Sequence, residues 1–415
     1  MAWTTGVTSA VGPGAAGSYG ARMTNSGWTD RSNAGHPMRV VVAGGGRIGT
    51  AAAALLAATG DYEVTLADQR PPASGLDLHG VEVRSLDAGD DRELAALLRD
   101  AEVVLNALPY HLTERVARTA AATGTHYLDL TEDVASSRVV RDEAASADVA
   151  FIPQCGLAPG FVSIAAHGLA QRFDRLASIA MRVGALPRTP TNALGYSLTW
   201  STEGVINEYC NPCLAIEHGV PVSVPALEQV ETLVVDGVRY EAFNTSGGLG
   251  TLTETYLGRL DTLDYKTIRY PGHRDIMKVL LGDLQLSEHR DELRVILERA
   301  IPTTTDDIVV VHVGVTGWRD GVLVEESLGR TIGHQVLGGR PLSAIQSTTA
   351  ASACAVVDLL REGRIPARGL VRQEDITLED FLANRFGSLY ATGVLEDLRA
   401  PVAIRPLAGS VAVAS

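Results

Sequence analysis

The chain has 415 residues, of which 46% are hydrophobic and 20% charged, so we expect a globular protein with two lobes, each large enough to bury a core. Its formal net charge of -14 and isoelectric point near 5.2 argue against nucleic acids and anionic membranes as partners, because such polyanions repel an acidic surface. No apolar run approaches the roughly 20 residues of a membrane helix, and four cysteines are too few for a disulfide framework. We therefore expect a cytoplasmic protein that acts on a small molecule.

The first 37 residues are rich in Gly, Ala, Ser and Thr and have neither helical nor strand periodicity. Such a composition cannot bury enough apolar surface to fold, so we interpret residues 1–37 as a disordered leader or as an overhang that precedes a later start codon at Met38. The ordered pattern begins at Met38.

A strand, a glycine turn and an alanine-rich helix follow in that order over residues 38–59. Gly44 suits a tight turn, Gly46 lets the backbone approach a pyrophosphate, and Gly49 allows close packing of the helix on the strand. The pyrophosphate would lie at the helix N-terminus, where backbone N–H groups are free. The predicted cofactor contacts of this turn are Gly44, Gly46, Arg47, Ile48 and Gly49.

An acidic residue ends the next predicted strand, which spans residues 62–67. Asp68 lies about 20 residues beyond the glycines, where a dinucleotide-binding fold places the acid that binds the ribose 2'-hydroxyl. A carboxylate there repels a 2'-phosphate, so the sequence favours NAD over NADP, although Arg70 could soften that preference.

Strands alternate with helices as far as residue 158, which predicts a Rossmann-type, doubly wound parallel sheet for residues 38–158. Ligands bind at the carboxyl ends of such strands, here the loops 106–111, 129–133 and 154–161. We expect Asn106, Ala107 and Pro109 to form a wall of the nicotinamide site, and Tyr110 either to contact substrate or to pack.

The loop that ends the sixth strand leads into a helix, with Pro159 suited to the first helical turn. Free N–H groups at this helix start, between Gly156 and Gly160, could hold the nicotinamide carboxamide or a substrate carboxylate. We predict that Gly156 and Pro159 contact the cofactor. Cys155 would either face the cofactor or pack as a small buried hydrophobic residue.

Residues 159–345 change to alternating apolar and polar positions with Asp-Gly turns, which predicts an α+β substrate and oligomerisation domain with an open, mainly antiparallel sheet. A helix inserted at residues 202–209 carries Glu203 and Glu208. We assign residues 346–385 to helices that return to the dinucleotide-binding domain, and 386–415 to a C-terminal tail. The edges of the second sheet favour a homodimer or larger homo-oligomer.

Motifs in several loops resemble the saccharopine dehydrogenase family over about residues 38–382. They are "NALPY", "YLDLTED", "CGLAPG", "LGYSLTWSTEGVINEYCNP" and "TSGGLGTLTETYLGRLDTLDYKTIRYPGH". Within the family they are most similar to lysine 6-dehydrogenases. That resemblance implies NAD-dependent removal of the ε-amino group of lysine, giving allysine, which cyclises to Δ1-piperideine-6-carboxylate.

The segment "DYKTIRYPGH" supplies a cationic cluster, interpreted as a short loop, in an acidic protein. Guanidinium groups bind carboxylates in a two-pronged fork, so we expect this loop to hold the α-carboxylate of an amino acid, chiefly through Arg269. An exposed, salt-bridged loop is the alternative. The predicted substrate contacts are Tyr110, Lys266, Arg269 and Arg274.

Oxidation of an amine needs a group that manages the ammonium proton and activates water. The candidates are Asp129, Glu132, Glu203 and His273, and we favour Glu203 or Asp129. Cys155 completes the set of candidate catalytic residues. The histidines are scattered, so we expect no metal site.

Two other functions remain open. Reductive C–N coupling, as in saccharopine or carboxynorspermidine formation, would need a second cationic site for a second carboxylate, with Arg182 and Arg188 as possible contributors. A non-catalytic NAD sensor or scaffold would retain the dinucleotide fold without turning over an amine, because a fold alone does not determine function.

Overall fold

The computed structural model describes residues 36–70, 72, 76, 78–395 and 398. The predicted leader therefore lies almost wholly outside the described residues, as does most of the predicted tail. No helix in the described part of the chain is both long enough and apolar enough to cross a membrane.

The first part of the chain alternates strands with helices, as the sequence predicts. Its strands are β1 (Met38–Ala43), β2 (Tyr62–Asp68), β3 (Val81–Ser85), β4 (Val103–Asn106), β5 (His126–Asp129) and β6 (Ala150–Ile152). Its helices are α1 (Arg47–Thr59), α2 (Asp91–Arg99), α3 (Thr113–Thr123) and α4 (Val134–Ala144), with a 3-10 turn at Tyr110–Leu112. Every strand pair is parallel, and β1 lies between β2 and β4.

The second part of the chain is a larger, mixed sheet with inserted helices. Its elements are α5 (Phe161–Ala170), β7 (Arg175–Pro187), α6 (Thr202–Cys210), β8 (Cys213–Glu217), β9 (Val220–Val224), β10 (Glu231–Val235), β11 (Val238–Asn244), α7 (Leu252–Thr255), β12 (Thr262–Arg269), α8 (His273–Lys278), a π-helical turn (Val279–Asp283), α9 (Arg290–Ala300), β13 (Asp307–Arg319), β14 (Val322–Gly333), β15 (Gln335–Leu337) and β16 (Arg340–Leu342). The order across the sheet is β10-β11-β12-β7-β13-β14, with β8 against β12 and β9, whereas β15 and β16 form a separate two-stranded sheet. Neighbours are antiparallel except β12 and β7, so the sheet is mainly antiparallel.

Asp-Gly turns join two hairpins of this sheet. Asp236 and Gly237 connect β10 to β11 with φ of 50° and 78°, and Asp320 and Gly321 connect β13 to β14 with φ of 52° and 77°. Asp and Gly tolerate this left-handed conformation, and such turns match the twist of the paired strands. The turns predicted from the sequence are therefore present at these two positions.

The last part of the chain packs on the first sheet. Its elements are α10 (Ala344–Arg361), β17 (Gly369–Leu370), a 3-10 turn (Gln373–Asp375), α11 (Leu378–Ala383) and α12 (Ser388–Thr392). Strand β17 extends the parallel sheet beside β6, which completes the order β17-β6-β5-β4-β1-β2-β3. Helix α10 packs against both α1 and β13, so one hydrophobic core connects the two sheets.

The prediction of a tail from residue 386 is wrong for its first residues. Phe386, Leu389 and Tyr390 have no exposed surface. The Tyr390 ring stacks on Phe161 of α5 with 3.8 Å between ring centroids. These apolar side chains continue the core, so the fold extends through α12.

Candidate functional site

The glycine turn has the conformation that its sequence predicts. Gly44 has φ of 115°, and a Cβ atom there would lie 2.6 Å from the carbonyl oxygen of Ala107. A Cβ at Gly49 would lie 1.9 Å from the carbonyl oxygen of Gly44. Both positions therefore require glycine, and helix α1 begins directly against the end of β1.

The start of α1 can hold an anion. Its N-cap is Gly46, which provides no capping side chain. The backbone N–H groups of Gly46, Arg47, Ile48 and Gly49 have no acceptor among the described residues, whereas Thr50 donates to the Gly46 carbonyl. A Cβ at Gly46 would meet nothing within 4 Å. Free donors beside open space at the positive end of a helix suit a pyrophosphate.

A cavity of about 520 Å³ lies at this helix start and is shared by both parts of the fold. Gly46, Arg47, Ile48, Gly49 and Ala107 line it on one side. The other side is lined by Leu198, Thr199, Trp200 and Ser201 from the segment before α6, and by Thr202, the first residue of α6. A cofactor bound at α1 would therefore contact the second lobe as well.

Asp68 ends β2 beside the glycine turn. Its Oδ2 accepts a hydrogen bond from the backbone N–H of Gly45 at 2.6 Å, and its Oδ1 accepts one from Arg70 at 2.8 Å. These bonds hold the carboxylate at the edge of the turn, where an adenosine ribose would lie in a dinucleotide-binding fold. The chain's own residues thus fit a nicotinamide dinucleotide.

A buried chain of polar groups connects the ends of β4 and β5. Asn106 Nδ2 donates to the Tyr127 hydroxyl at 3.2 Å, and that hydroxyl donates to Asp129 Oδ2 at 2.9 Å. Asp129 Oδ1 accepts from the backbone of Gln154 and Thr131. Burial raises the pKa of Asp129 to about 6. All these partners lie inside the first lobe, so the geometry favours Asp129 as the residue that shapes these loops and not as the base that meets substrate.

The loop after β6 does not present the free helix start that the sequence suggests. Pro159 precedes the N-cap Gly160, and α5 begins at Phe161. The N–H groups of Phe161, Val162 and Ser163 already donate to the carbonyls of residues 156, 157 and 160. The first N–H groups of α5 are therefore not free to hold a carboxylate or carboxamide. The predicted contacts of Gly156 and Pro159 with the cofactor stay predictions.

Cys155 lies in the hydrophobic core with no exposed surface. Its thiol donates to the Ile152 carbonyl at 3.0 Å and accepts from Gln373 Nε2 at 3.5 Å. Burial raises the pKa of the Cys155 thiol well above its usual value. The geometry favours the packing alternative over catalysis.

Carboxylates from both lobes meet beside the end of β5. Tyr110 is 40% exposed, and burial together with the nearby Glu203 and Asp133 carboxylates raises the pKa of its phenol. Burial also raises the pKa of Glu132, with Asp133, Asp129 and Glu203 adding to the rise. Glu203 lies in the first turn of α6 and is exposed. Tyr110 and Glu132 of the first lobe thus face Glu203 of the second.

Arg269, which the sequence analysis predicts to bind the substrate carboxylate, lies at the end of β12. It is 2% exposed, and its charge is not matched by an ion pair within the described residues. The Glu208 carboxyl is near enough to sense that charge, yet burial raises the pKa of Glu208 to about 8, with the Arg269 guanidinium opposing the rise and Glu132 adding to it. The cleft therefore contains one buried guanidinium and carboxyl groups at positions 132, 203 and 208.

The other cations of the predicted cluster are not in this cleft. The segment is strand β12 followed by α8, and not one short loop, so its residues alternate between the two faces of the sheet. Lys266 Nζ contacts Glu231 at 2.8 Å and Asp264 at 3.7 Å, on the face opposite Arg269. This pairing does not support the predicted contact of Lys266 with substrate, which stays a prediction.

Arg274 lies outside the cleft as well. Its guanidinium contacts Asp275 at 2.7 Å and Glu228 at 3.2 Å, and its Nε donates to the Leu227 carbonyl. Because its guanidinium already contacts two carboxylates, the structure does not support the predicted substrate contact of Arg274, which stays a prediction.

His273 is 1% exposed at the start of α8 and contacts the Tyr209 hydroxyl at 2.9 Å. Burial, with the Arg269 charge adding to it, lowers the pKa of His273 to about 3. It is hydrogen-bonded on both ring nitrogens, so it has no free nitrogen with which to act as a base on substrate.

Four residues of this region were not identified as a site from the sequence. They are Glu208, Tyr209, Tyr196 and Thr199. The hydroxyl groups of Tyr196 and Thr199 are buried and lie close to each other, and Thr199 lines the cavity at the start of α1. The segment "LGYSLTWSTEGVINEYC" contains all four, so the family resemblance indicates the region, but their approach to Arg269 depends on the tertiary fold. No group of three His, Cys, Asp or Glu side chains suited to a metal occurs among the described residues.

Comparisons with known proteins agree with this architecture. The family model "Saccharopine dehydrogenase NADP binding domain" matches residues 40–151, and "Saccharopine dehydrogenase C-terminal domain" matches residues 156–393. The NADP(+)-dependent, L-glutamate-forming saccharopine dehydrogenase of Saccharomyces cerevisiae is 25% identical over 267 residues, or 61% of this chain and 60% of the relative.

A relative of the same description from Pyricularia oryzae is 26% identical over 52% of this chain and 50% of its own length. This chain therefore matches only half to three fifths of the length of these relatives. The solved structure of the apo yeast enzyme has a TM-score of 0.69 at 19% identity and covers 85% of this chain and 96% of its own, which shows the same fold. The two family models together span the glycine turn, the cleft and helix α12, so this chain belongs to the saccharopine dehydrogenase family.

Proposed function

We propose that this chain is an NAD-dependent oxidoreductase that removes the terminal amine of an amino acid, with L-lysine as the substrate and allysine as the product. Allysine would cyclise to Δ1-piperideine-6-carboxylate. The observation that carries the proposal is the charge of the cleft, where one buried guanidinium, Arg269, accompanies three carboxyl groups. That balance suits a substrate with one carboxylate and more than one amine.

The cofactor preference rests on Asp68. Its carboxylate is held by two backbone N–H groups at the end of β2, where it would accept a hydrogen bond from a ribose hydroxyl and repel a 2'-phosphate. Bound NAD would supply the acceptor for the hydride that leaves the carbon bearing the amine. The donors at the start of α1 and the buried Thr199 hydroxyl support binding of the cofactor.

The carboxyl groups would manage the proton of the substrate. A substrate ammonium must lose a proton before hydride can leave the neighbouring carbon. Burial raises the pKa of Glu208 to about 8, so this group can exchange a proton near neutral pH. The resulting iminium adds water, for which Glu132 or Glu203 would take the proton, and releases ammonia. The sum converts an amine, NAD⁺ and water into an aldehyde, ammonia, NADH and one proton.

Reductive C–N coupling is the second candidate, and the names of the curated relatives favour it. A coupled product such as saccharopine carries three carboxylates, and the described cleft residues supply one unpaired guanidinium. Arg182 is committed to Glu231 and Asp264, and Arg188 to Asp306, so neither is free to bind another carboxylate. The charge of the cleft therefore supports deamination over coupling.

The deciding measurement is NADH formation at 340 nm with NAD and L-lysine, L-ornithine or a related diamine, followed by trapping of a cyclic imine with o-aminobenzaldehyde. We expect lysine-dependent NADH and a trapped imine. NADH consumption that requires an amine and an oxo acid together would contradict deamination and establish coupling. NAD binding without turnover in either assay would indicate a non-catalytic sensor.

A further inference from the structure

Arg269 lies in a chain of hydrogen bonds that passes through two buried side chains. Its Nε donates to the Tyr209 hydroxyl at 2.8 Å. That hydroxyl lies 2.9 Å from Nε2 of His273, whose Nδ1 lies 2.9 Å from the Leu194 carbonyl oxygen. The chain thus joins β12, α6 and α8 to the segment before α6.

The direction of every bond in this chain follows from its far end. A carbonyl oxygen only accepts hydrogen bonds, so His273 Nδ1 carries the proton. Because burial keeps the imidazole neutral, with a pKa lowered to about 3, Nε2 is the acceptor. The Tyr209 hydroxyl must then donate to Nε2, and its lone pair is directed to the Arg269 Nε–H. Each partner has one role.

The remaining donors of Arg269 are thereby oriented. Nη1 donates to the Ile268 carbonyl at 2.9 Å. Nη2 has no acceptor in the part of the chain that the structure describes. The Tyr196 ring lies 5.1 Å from the guanidinium carbon and the Tyr209 ring 5.8 Å, so aromatic rings support the group from its sides. A long side chain that would otherwise sample many rotamers is held in one.

We infer that Tyr209 and His273 are positioning residues that orient the Arg269 guanidinium, leave Nη2 for the substrate carboxylate, and so select amines that carry a carboxylate over amines that lack one. This inference rests on the proposed function, because it takes the carboxylate of an amino acid as the partner of Arg269.

The test compares L-lysine with cadaverine, which has the same two amines and chain length but no carboxylate. Tyr209→Phe keeps the ring and removes the hydroxyl. We expect KM for L-lysine to rise about tenfold, with kcat and all parameters for cadaverine nearly unchanged, because one charge-assisted hydrogen bond is lost. A similar loss with both substrates, or no loss with either, would overturn the inference. Tyr270→Phe is the matched control, because that hydroxyl donates to the Pro187 carbonyl away from the cleft.

Two histidine variants separate positioning from packing. His273→Gln can place an acceptor near the Nε2 position for Tyr209, whereas His273→Asn can replace only the bond to Leu194. We expect the Gln variant to retain more of the preference for L-lysine than the Asn variant, at similar thermal stability. Equal preference in both variants would indicate that His273 only packs.

Arg269→Gln separates this inference from the proposed function. If that variant keeps the preference for L-lysine, the carboxylate role of Arg269 is wrong. If it loses the preference while Tyr209→Phe keeps it, the role of Arg269 stands and the positioning chain is wrong. If no amine is oxidised at all, the ¹⁵N spectrum of the imidazole still tests the chain: a neutral ring protonated on Nδ1 is expected between pH 5 and 9, and any other state would overturn it.

Discussion

At the scale of single residues, neighbouring groups fix the orientation or the pKa of the polar side chains in the candidate site. Asp68 is the clearest case, because two backbone donors orient its carboxylate at 2.6 and 2.8 Å. Glu208 is a second, since burial raises its pKa to about 8 although the Arg269 guanidinium opposes the rise.

Removal of the Asp68 carboxylate is expected to change cofactor selectivity. Asp68→Ala should weaken NAD binding about tenfold, because a charge-assisted hydrogen bond to the ribose is lost. It should also increase the affinity for NADP relative to that for NAD, because the carboxylate no longer repels the 2'-phosphate. Fluorescence titrations with NADH and NADPH measure both effects. The control is Glu63→Ala, at an exposed position of the same strand. Unchanged selectivity would remove Asp68 from the ribose site.

The pH dependence of the reaction should report Glu208. Its pKa is raised from 4.5 to about 8, so the carboxylate that receives the ammonium charge becomes populated as pH rises through 8. We expect kcat/KM for the amine to rise over that range in the wild type, and Glu208→Gln to lose this part of the rise along with most activity. Glu217→Gln, on the outer strand β8, is the control. If Glu208→Gln keeps the wild-type dependence of kcat/KM on pH, the rise near pH 8 belongs to another group.

At the scale of elements, short contacts between backbone segments position the cofactor site. The first turn of α1 touches the end of β1 so closely that a single methyl group decides whether the helix can start there. Strand β12 likewise positions side chains through its backbone. Successive side chains of a strand point to opposite faces, so Arg269 lies in the cleft and Lys266 lies in ion pairs on the other face.

Two glycine variants should separate folding from cofactor binding. Gly46 has φ of -69° and ψ of -175°, which any residue adopts, and open space at its Cβ position. Gly46→Ala should therefore keep the free energy of unfolding within about 0.5 kcal/mol but weaken NADH binding more than about tenfold, since the methyl group occupies the anion site.

Gly49→Ala should instead lower the free energy of unfolding by about 1 to 3 kcal/mol, because its Cβ would lie 1.9 Å from the Gly44 carbonyl oxygen. Urea unfolding and NADH titration measure both quantities. Equal stability of the two variants would contradict the steric account.

At the scale of the whole molecule, a buried ionic cluster fastens the last part of the chain to the first sheet. Asp358 of α10 is 1% exposed and accepts hydrogen bonds from Tyr62, Asn384 and Arg385. Arg385 also contacts Asp61 at 2.7 Å. The cluster thus joins β2, α10 and the segment before α12.

Asp358→Ala should lower the free energy of unfolding by about 3 to 5 kcal/mol, because it leaves the largely buried Arg385 without its main partner. The matched control is Asp148→Ala, which breaks an exposed pair with Arg368 and should cost less than about 1 kcal/mol. Chemical unfolding followed by circular dichroism measures the difference. Equal effects of the two substitutions would show that the cluster does not fasten the two parts together.

The sequence by itself determined the features that depend on neighbours along the chain. The glycine turn, Asp68 at the end of β2 and the two Asp-Gly hairpins could be predicted because local sterics allow few alternatives at those residues. In the second lobe, short motifs shared with the family identified the segments that contain Glu203, Glu208 and Arg269.

Only the tertiary structure decided which side chains share the cleft. Glu132, Glu208 and Arg269 come from distant segments, and strand alternation, which the loop interpretation missed, separates Arg269 from Lys266. Cys155 and Asp129 are buried inside the first lobe, and burial lowers the pKa of His273 so that its ring is neutral. Burial and electrostatic environment depend on what packs around a residue, and that packing is a property of the folded chain as a whole.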